Sequence, residues 1–251
     1  MRIGQGDCVS IRSAFVSTFL LRPNKILYRL FRPSPGIIRF FVHPQTWFWG
    51  KLLSPFGVRT ENTHFGDVPT VTFTPKKNVR LNTIFVFFHG GGYCIGSSRT
   101  THRIGLANLS KTTSCIIHSV DYRLAPKHPY PAALDDAMQA WKGIVANHSN
   151  SQIILSGDSA GGGLSLALMM RLRDEGFRLP DAAVLFSPWT DLTCSSQTYK
   201  TLAKADPMIF PGTPRDCAGH YVPDSTNRQN PYISPVFGDF TGLPRTLILV
   251  G

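Results

Sequence analysis

Five unbroken apolar runs constrain the fold of this chain more than any other feature of its sequence. They open the segments at residues 83–93, 114–126, 152–162, 182–192 and 246–251. Apolar residues in an unbroken row are typical of strands that are buried on both faces, as in a parallel sheet. Helices are predicted between these strands, at residues 101–111, 131–146 and 160–175. Strands and helices that alternate in this way predict an α/β fold with a mostly parallel sheet.

The first 60 residues have a different character and are predicted to form a basic, aromatic cap segment, ahead of a core at residues 61–251. They hold nine of the 26 Lys and Arg residues and one of the 15 acids, so their net charge is 9 − 1 = +8. Apolar residues recur every four positions, which predicts short amphipathic helices. These helices are expected to be interrupted by the prolines at positions 23, 33, 35, 44 and 55.

We expect the cap segment to pack on the core, while a ligand entrance and a peripheral contact with an anionic membrane remain open alternatives. No recognition motif for nucleic acid accompanies the basic charge, so no nucleic-acid partner is predicted. In the core, residues 71–74 alternate between polar and apolar and predict an edge strand.

The chain has five cysteines without regular spacing: Cys8, Cys94, Cys115, Cys194 and Cys217. None forms a C-x-x-C pair, so we expect free thiols in a reducing, cytoplasmic compartment, and no metal or other cofactor. No run reaches the ~18 apolar residues that a membrane-spanning helix needs. The apolar stretch at residues 14–21 is interrupted and lacks a small-residue cleavage site, so no cleaved signal peptide is expected.

The sequence IILSGDSAGGGLS, residues 153–165, places Ser159 between Gly157 and Gly161 in the spacing G-x-S-x-G. A strand that turns directly into a helix strains the central residue and lifts its hydroxyl out of the sheet. The two glycines let strand and helix approach without Cβ clashes, and the helix N-terminus favours developing negative charge. Ser159 is therefore predicted to be a nucleophile, with a buried serine in a glycine-rich turn as the alternative.

Three consecutive glycines follow another apolar run in HGGGY, residues 89–93. The N–H groups of Gly91 and Gly92, with that of Ala160 after the serine, are predicted to bind a tetrahedral oxyanion. A phosphate-binding loop is disfavoured because the lysine and hydroxyl of G-x-x-x-x-G-K-[ST] are absent. His89 is expected to hydrogen-bond the backbone of this loop rather than to act as a base.

Four charged residues between these motifs are given structural roles. Asp121 and Arg123, in DYRLAP, are expected to pair with each other and to brace a loop near the site. Asp135 and Asp136 follow in the first turns of a predicted helix, where carboxylates interact favourably with the helix dipole.

In combination, HGGG, DYRLAP with YPAALDD, GDSAGG and SPWTDL, in that order, resemble the hormone-sensitive-lipase-like branch of the α/β-hydrolase fold. The resemblance implies a mostly parallel sheet with flanking helices and an N-terminal helical cap, which residues 1–60 would supply. It also implies a carboxylesterase or lipase that cleaves short or medium acyl esters through an acyl-enzyme, without a cofactor. The nucleophile and the oxyanion hole would be the residues already assigned to these roles.

The resemblance further implies a triad acid after the strand at residues 246–251 and a histidine after one more strand. His220 is the one histidine that follows Ser159, and it is expected to be a surface or cap residue. Asp191 is expected to brace a neighbouring loop. We therefore expect a chain truncated before a last strand and helix, with an unpaired apolar edge.

Three functions remain open at this point. The first is hydrolysis of a small-molecule ester by Ser159. The second is a catalytically inactive ligand-binding protein of the same fold, as in the plant gibberellin receptor, which resembles this family but has lost the triad histidine. The third is a membrane-surface protein that binds lipid through residues 1–60. The natural ester and the oligomeric state are not predicted.

Overall fold

The computed structural model describes residue 26, residues 34–207, residue 209 and residues 212–250. Within these ranges seven strands are present: β1 (Val58–Phe65), β2 (Val68–Pro75), β3 (Arg80–Phe88), β4 (Cys115–Val120), β5 (Gln152–Asp158), β6 (Ala182–Phe186) and β7 (Thr246–Leu249). They form one sheet in the order β1-β2-β4-β3-β5-β6-β7. β2 is antiparallel to both of its neighbours, and the pairs from β4 to β7 are parallel. The predicted α/β fold with a mostly parallel sheet is confirmed.

The helices of the described residues flank this sheet: α1 (Pro35–Leu53), α2 (Arg103–Thr113), α3 (Ala132–Asn147), α4 (Ala160–Asp174), α5 (Thr198–Thr201) and α6 (Gly212–Tyr221). The helices α2, α3 and α4 are the three that the sequence predicts, with small shifts at their ends. Two short 3₁₀ helices follow α6, at Ser225–Gln229 and Pro235–Phe237.

Strand β2 lies inside the sheet, so the prediction of an edge strand at residues 71–74 is wrong. It pairs with β1 on one side and with β4 on the other. Alternation predicts a strand with one face in solvent, but helices cover both faces of β2, and Val71, Thr72 and Phe73 are all buried. On this side of the sheet the edge strand is β1, which begins at Val58, a little ahead of the predicted domain boundary.

Two apolar clusters form the core, one on each face of the sheet. Phe87 belongs to the cluster under α2, whereas its neighbours Val86 and Phe88 belong to the cluster under α3 and α4, because successive strand residues point to opposite faces. Trp141 of α3 is buried in the second cluster, and its indole N–H donates to the carbonyl of Arg178 at 2.8 Å.

The strands β3, β5 and β6 are parallel and end at the same edge of the sheet. HGGGY follows Phe88 at the end of β3, GDSAGG spans the end of β5, and SPWTDL begins after Phe186 at the end of β6. Because these strands are direct neighbours, the three motifs come together at one place. In open α/β sheets this carboxyl edge is where ligands bind.

Helix α1 begins at Pro35 and continues through Pro44, so two prolines that were expected to interrupt helices do not do so. Proline suits the first helical turn because its missing N–H would be unpaired there. The Ser34 hydroxyl caps the helix and accepts a hydrogen bond from the N–H of Ile37 at 3.4 Å. The short helices predicted before Ser34 lie outside the described residues.

Strand β7 forms the edge of the sheet beyond β6. The fifth apolar run is therefore a strand as predicted, but Leu247, Ile248 and Leu249 are 44–54% exposed and are not buried on both faces. The absence of a last strand and helix stays a prediction. Among the described residues, no helix combines the length and the apolar character needed to cross a bilayer.

Substitution of two helical glycines tests how closely α4 and α2 pack against their neighbours. A Cβ at Gly163 of α4 would overlap the carbonyl oxygen of Trp189, whereas a Cβ at Gly105 of α2 would meet no atom within 4 Å. We expect Gly105→Ala to raise the free energy of unfolding by up to about 1 kcal/mol through helix propensity. Gly163→Ala should lower it by about 1–3 kcal/mol because of overpacking. Denaturant unfolding of both variants measures these changes, and equal stabilities would contradict the close packing of α4.

Candidate active site

Ser159 occupies the sharp turn between β5 and α4, with φ 50° and ψ −119°. A non-glycine residue with positive φ is strained and persists only where its surroundings hold it. The N–H of Ser159 donates to the carbonyl of Phe186 at 2.9 Å, and its own carbonyl accepts from the N–H groups of Gly163 at 3.0 Å and Trp189 at 2.8 Å. The strand before Ser159, the helix after it and the strain between them are as predicted.

The glycines on both sides of Ser159 allow this turn. A Cβ at Gly157 would lie 2.5 Å from the carbonyl oxygen of Gly161, and a Cβ at Gly161 would overlap the carbonyl oxygen of Phe88 on the neighbouring strand. Any side chain at either position would therefore push α4 away from the sheet. The spacing G-x-S-x-G follows from this approach of three backbones.

The glycine loop after β3 has open backbone donors. Gly91 and Gly92 have φ values of 122° and 62°, which favour glycine. Within the described residues, no hydrogen-bond acceptor lies opposite the N–H of either glycine. Ala160 is the first residue of α4, where an N–H has no intrahelical acceptor. These are the three N–H groups that the sequence predicts as an oxyanion hole, and that role stays a prediction.

Stacked aromatic rings support this loop from below. His89 is buried, and its Nδ1 forms a 2.8 Å hydrogen bond with the carbonyl of Gly90, so its predicted contact with the loop backbone is confirmed. The His89 ring stacks on Tyr122, whose hydroxyl donates to the carbonyl of His89 at 2.6 Å. Tyr93 stacks on Tyr221 of α6, with ring centroids 3.9 Å apart. Burial lowers the pKa of His89, which keeps the imidazole neutral.

Asp158, next to the serine, ties the glycine loop to the start of α2. Its carboxylate accepts the N–H of Gly90 at 2.8 Å and lies 3.0 Å from Nε2 of His102. Burial acts to raise the pKa of Asp158, but the hydrogen bonds from His102 and Gly90 outweigh it and hold that pKa below its usual value. This Asp158 bracket, meaning the carboxylate with its contacts to Gly90 and His102, was not predicted from the sequence. Its one signal was a carboxylate directly before Ser159 at the end of a strand.

Asp121 and Arg123 do not pair with each other, so that prediction is wrong. Arg123 instead forms a salt bridge with Asp136 of α3. Its Nη2 lies 2.7 Å from Oδ1, and its Nε donates a hydrogen bond to the same carboxylate. Because Asp136 is buried, leaving its carboxylate unpaired would cost free energy. This cost favours pairing of the Arg123 guanidinium with Asp136 over pairing with Asp121. Asp121 accepts the N–H of Ser98 at 2.7 Å and lies 3.5 Å from Nε of Arg99. Asp121 and Asp136 each accept a backbone N–H and so stabilise a loop near the site.

The remaining candidate acid and base are not assembled around the serine. The Asp191 carboxylate accepts hydrogen bonds from Thr193 and Ser195, so it stabilises its own turn. His220 is half-buried near the end of α6. Among the residues that the structure describes, neither a histidine nor a carboxylate forms a hydrogen bond with the hydroxyl of Ser159.

The chain is similar to known hydrolases over most of its length. The chain matches the family described as alpha/beta hydrolase fold over residues 85–251. An esterase of Acinetobacter venetianus is 35% identical over 177 residues, which cover 70% of this chain and 58% of that protein. An acetyl-hydrolase of Streptomyces hygroscopicus is 36% identical over 191 residues, which cover 74% of this chain and 63% of that protein. The chain thus spans about three fifths of the length of these curated relatives.

Solved structures show the same similarity. An esterase of the bacterial hormone-sensitive lipase (HSL) family has 33% sequence identity to this chain and a TM-score of 0.80. The similarity covers 91% of this chain and 76% of that chain. It extends beyond the motif-bearing loops to most of the described sheet and its helices.

The Asp158 bracket leads to a pH-dependent prediction. Asp158→Ala removes the acceptor shared by Gly90 and His102, and we expect it to lower the free energy of unfolding at pH 7 by about 1–3 kcal/mol. Because the folded pKa is depressed, the carboxylate contributes fully above its unfolded pKa of about 3.9. That contribution is lost as the pH falls through the lower, folded pKa.

The difference between wild type and Asp158→Ala should therefore shrink below about pH 4. Urea unfolding at neutral and acidic pH measures it, with Asp67→Ala, an exposed position in the β1–β2 turn, as the matched control. A difference that persists unchanged in acid would contradict the bracket.

Proposed function

The chain belongs to the α/β-hydrolase fold family, in its hormone-sensitive-lipase-like branch, and from this premise we propose that it hydrolyses carboxylic esters with Ser159 as the nucleophile. The observation that carries the proposal is the strained turn at Ser159 beside the first N–H groups of α4. The relatives named esterase and acetyl-hydrolase support short acyl esters as the substrate class.

In the proposed reaction, Oγ of Ser159 attacks the carbonyl carbon of the ester, and the carbonyl oxygen becomes an oxyanion. The N–H groups of Gly91, Gly92 and Ala160 would donate to that oxygen, and removing one such donor typically costs about 3 kcal/mol in the transition state. The alcohol then leaves with a proton, and water hydrolyses the acyl-enzyme to regenerate Ser159.

A general base must take the proton of Ser159 before or during the attack. Among the described residues, no histidine hydrogen-bonds this hydroxyl. The second candidate from the sequence is kept as the alternative outcome of the test: the same site would bind a small-molecule ligand without hydrolysing it. The two candidates differ in turnover and not in the position of the site.

Hydrolysis of p-nitrophenyl acetate and p-nitrophenyl butyrate tests the proposed function. Ser159→Ala should lower kcat by at least about 10⁴-fold, as expected when a serine nucleophile is removed. Ser149→Ala is the matched control, because Ser149 is exposed and precedes β5 at the opposite end of that strand. It should hydrolyse both esters at the wild-type rate.

Equal turnover by wild type and Ser159→Ala would contradict the assignment of the nucleophile. Absence of turnover in the wild type would contradict ester hydrolysis by this chain and favour the ligand-binding candidate. In that case, a rise in Tm on addition of a butyrate ester would identify the bound class of ligand.

We also propose that α1 lies against an anionic membrane surface. The residues of α1 that face the body of the protein include polar and small ones: Gly50 packs on Arg103, and His43 and Thr46 are half-buried. Its apolar residues face solvent and are 50–73% exposed: Phe40, Phe41, Trp47, Phe48, Trp49, Leu52 and Leu53. This orientation is the reverse of that of a helix that packs an apolar stripe on a core.

The charge and composition of this face support a lipid partner. Aromatic residues beside basic ones are typical of helices that lie in the membrane interface, and Lys51 sits 5.5 Å over the ring of Trp47. Helix α1 contains Arg39 and Lys51 and no acidic residue. Anionic headgroups attract such segments by about 1 kcal/mol per basic residue near the surface.

Vesicle cosedimentation tests this surface. The double variant Phe48→Glu with Leu52→Glu should bind vesicles of phosphatidylcholine and phosphatidylserine at least about tenfold more weakly, because it removes two apolar groups from the interface. Leu81→Glu is the matched control, since Leu81 of β3 is 70% exposed. Binding should also weaken as salt is raised.

Unchanged vesicle binding by the double variant would contradict the membrane proposal. Analytical ultracentrifugation tests the other explanation of the exposed face, which is dimerisation of the chain. If wild type forms dimers that the double variant does not, a second copy of the chain covers this face instead.

A further inference from the structure

Two thiols lie directly beside the glycine loop. Cys94 follows the loop glycines and is buried, and its Sγ donates to the carbonyl of Cys217 at 3.9 Å. Cys217 belongs to α6 and is half-buried. A Cβ at Gly92 would lie 2.8 Å from Sγ of Cys217, so this sulfur is packed against the loop backbone.

The two thiols also interact with each other. The neighbouring Cys94 thiol lowers the pKa of Cys217, while the same neighbour contact and burial raise the pKa of Cys94. Cys217 is thus the thiol that ionises first, and it is the more exposed of the two. Thiolate character and access are the two conditions for reaction of a cysteine with a peroxide.

We propose that Cys94 and Cys217 form a reversible disulfide that links the glycine loop to α6. The Cys217 thiolate attacks one oxygen of hydrogen peroxide, forms a sulfenic acid and releases hydroxide, which takes up a proton to become water. The sulfur of Cys94 then attacks the sulfenic sulfur, and its proton leaves with the sulfenic oxygen as a second water. Two thiols and one peroxide give one disulfide and two waters, and a dithiol such as dithiothreitol reverses the step.

The disulfide would act on the loop through short connections. The N–H of Cys94 donates to the carbonyl of Gly91 at 3.0 Å, as does that of Ile95. A bond of about 2.05 Å between the sulfurs would draw this turn toward α6, against which Gly92 is already packed. The effect on hydrolysis rests on the proposed function of this loop, whereas formation of the bond does not.

Peptide mapping tests the bond itself. The protein is treated with hydrogen peroxide, alkylated with iodoacetamide and digested with trypsin without reduction. Cleavage after Lys and Arg puts the two cysteines in the peptides 81–99 and 216–228. We expect these peptides to appear joined, and to separate after dithiothreitol.

Cys115→Ser is the matched control, because Cys115 is buried at the start of β4, at the opposite edge of the sheet. It should give the same joined peptides, whereas Cys217→Ser and Cys94→Ser should not. Sulfinic acid on Cys217 without joined peptides, or a bond from either cysteine to another position, would overturn the proposal.

Hydrolysis of p-nitrophenyl butyrate tests the effect on the loop. Oxidation should lower kcat of the wild type by about 100-fold, the effect expected of a misplacement of about 1 Å, and dithiothreitol should restore it. Cys217→Ser should keep its rate in peroxide. If the peptides join without a change in rate, the effect on the loop is wrong while the disulfide stands. If the reduced wild type has no activity, the proposed function fails and the mapping still decides on the disulfide.

Discussion

The close approach of three backbones at the end of the sheet is the constraint on which the rest of the candidate site depends. The carbonyl of Phe88 occupies the space that a side chain at Gly161 would need, and the carbonyl of Gly161 occupies that of Gly157. With α4 held this close to β3 and β5, the chain has room only for a sharp turn, and Ser159 adopts a positive φ. The hydrogen bond from its N–H to Phe186 fixes that strained conformation. The sharp turn at Ser159 is thus a consequence of side chains that are absent from its neighbours.

A single carboxylate relates this turn to the glycine loop. Asp158 is adjacent to Ser159 in the chain, and it binds Gly90 and His102 on the neighbouring elements. Movement of the loop relative to the serine would therefore break a charge-assisted contact. Such contacts are stronger than those between neutral groups and fix geometry as well as energy. The distance between Ser159 and the N–H groups of the glycine loop is thus set by two consecutive residues at the end of β5, Asp158 and Ser159.

The sequence predicted those features whose causes are local. Strands buried on both faces leave unbroken apolar runs, and a strand that turns into a helix leaves a serine between glycines, so the fold and the position of Ser159 could be predicted. The place of β2 could not, because the helices that cover both of its faces come from distant parts of the chain. The partner of Arg123 depended on a buried carboxylate at Asp136 that spacing does not reveal. The contact of Asp158 with His102 exists only because β3 and β5 are neighbours.

The stacked rings beneath the glycine loop also affect the ultraviolet absorbance of the protein. Tyr122 and Tyr221 are fully enclosed, and burial raises the pKa of both phenols well above the usual value. Tyr93, stacked on Tyr221, is shifted in the same direction for the same reason. In alkaline solution an exposed tyrosine absorbs as the phenolate, while these three stay neutral as long as their packing is intact. The pKa values of Tyr130, Tyr199 and Tyr232 are raised as well, so the three rings of the site contribute the last part of the alkaline change in tyrosine absorbance, and that part moves to lower pH when their packing is lost.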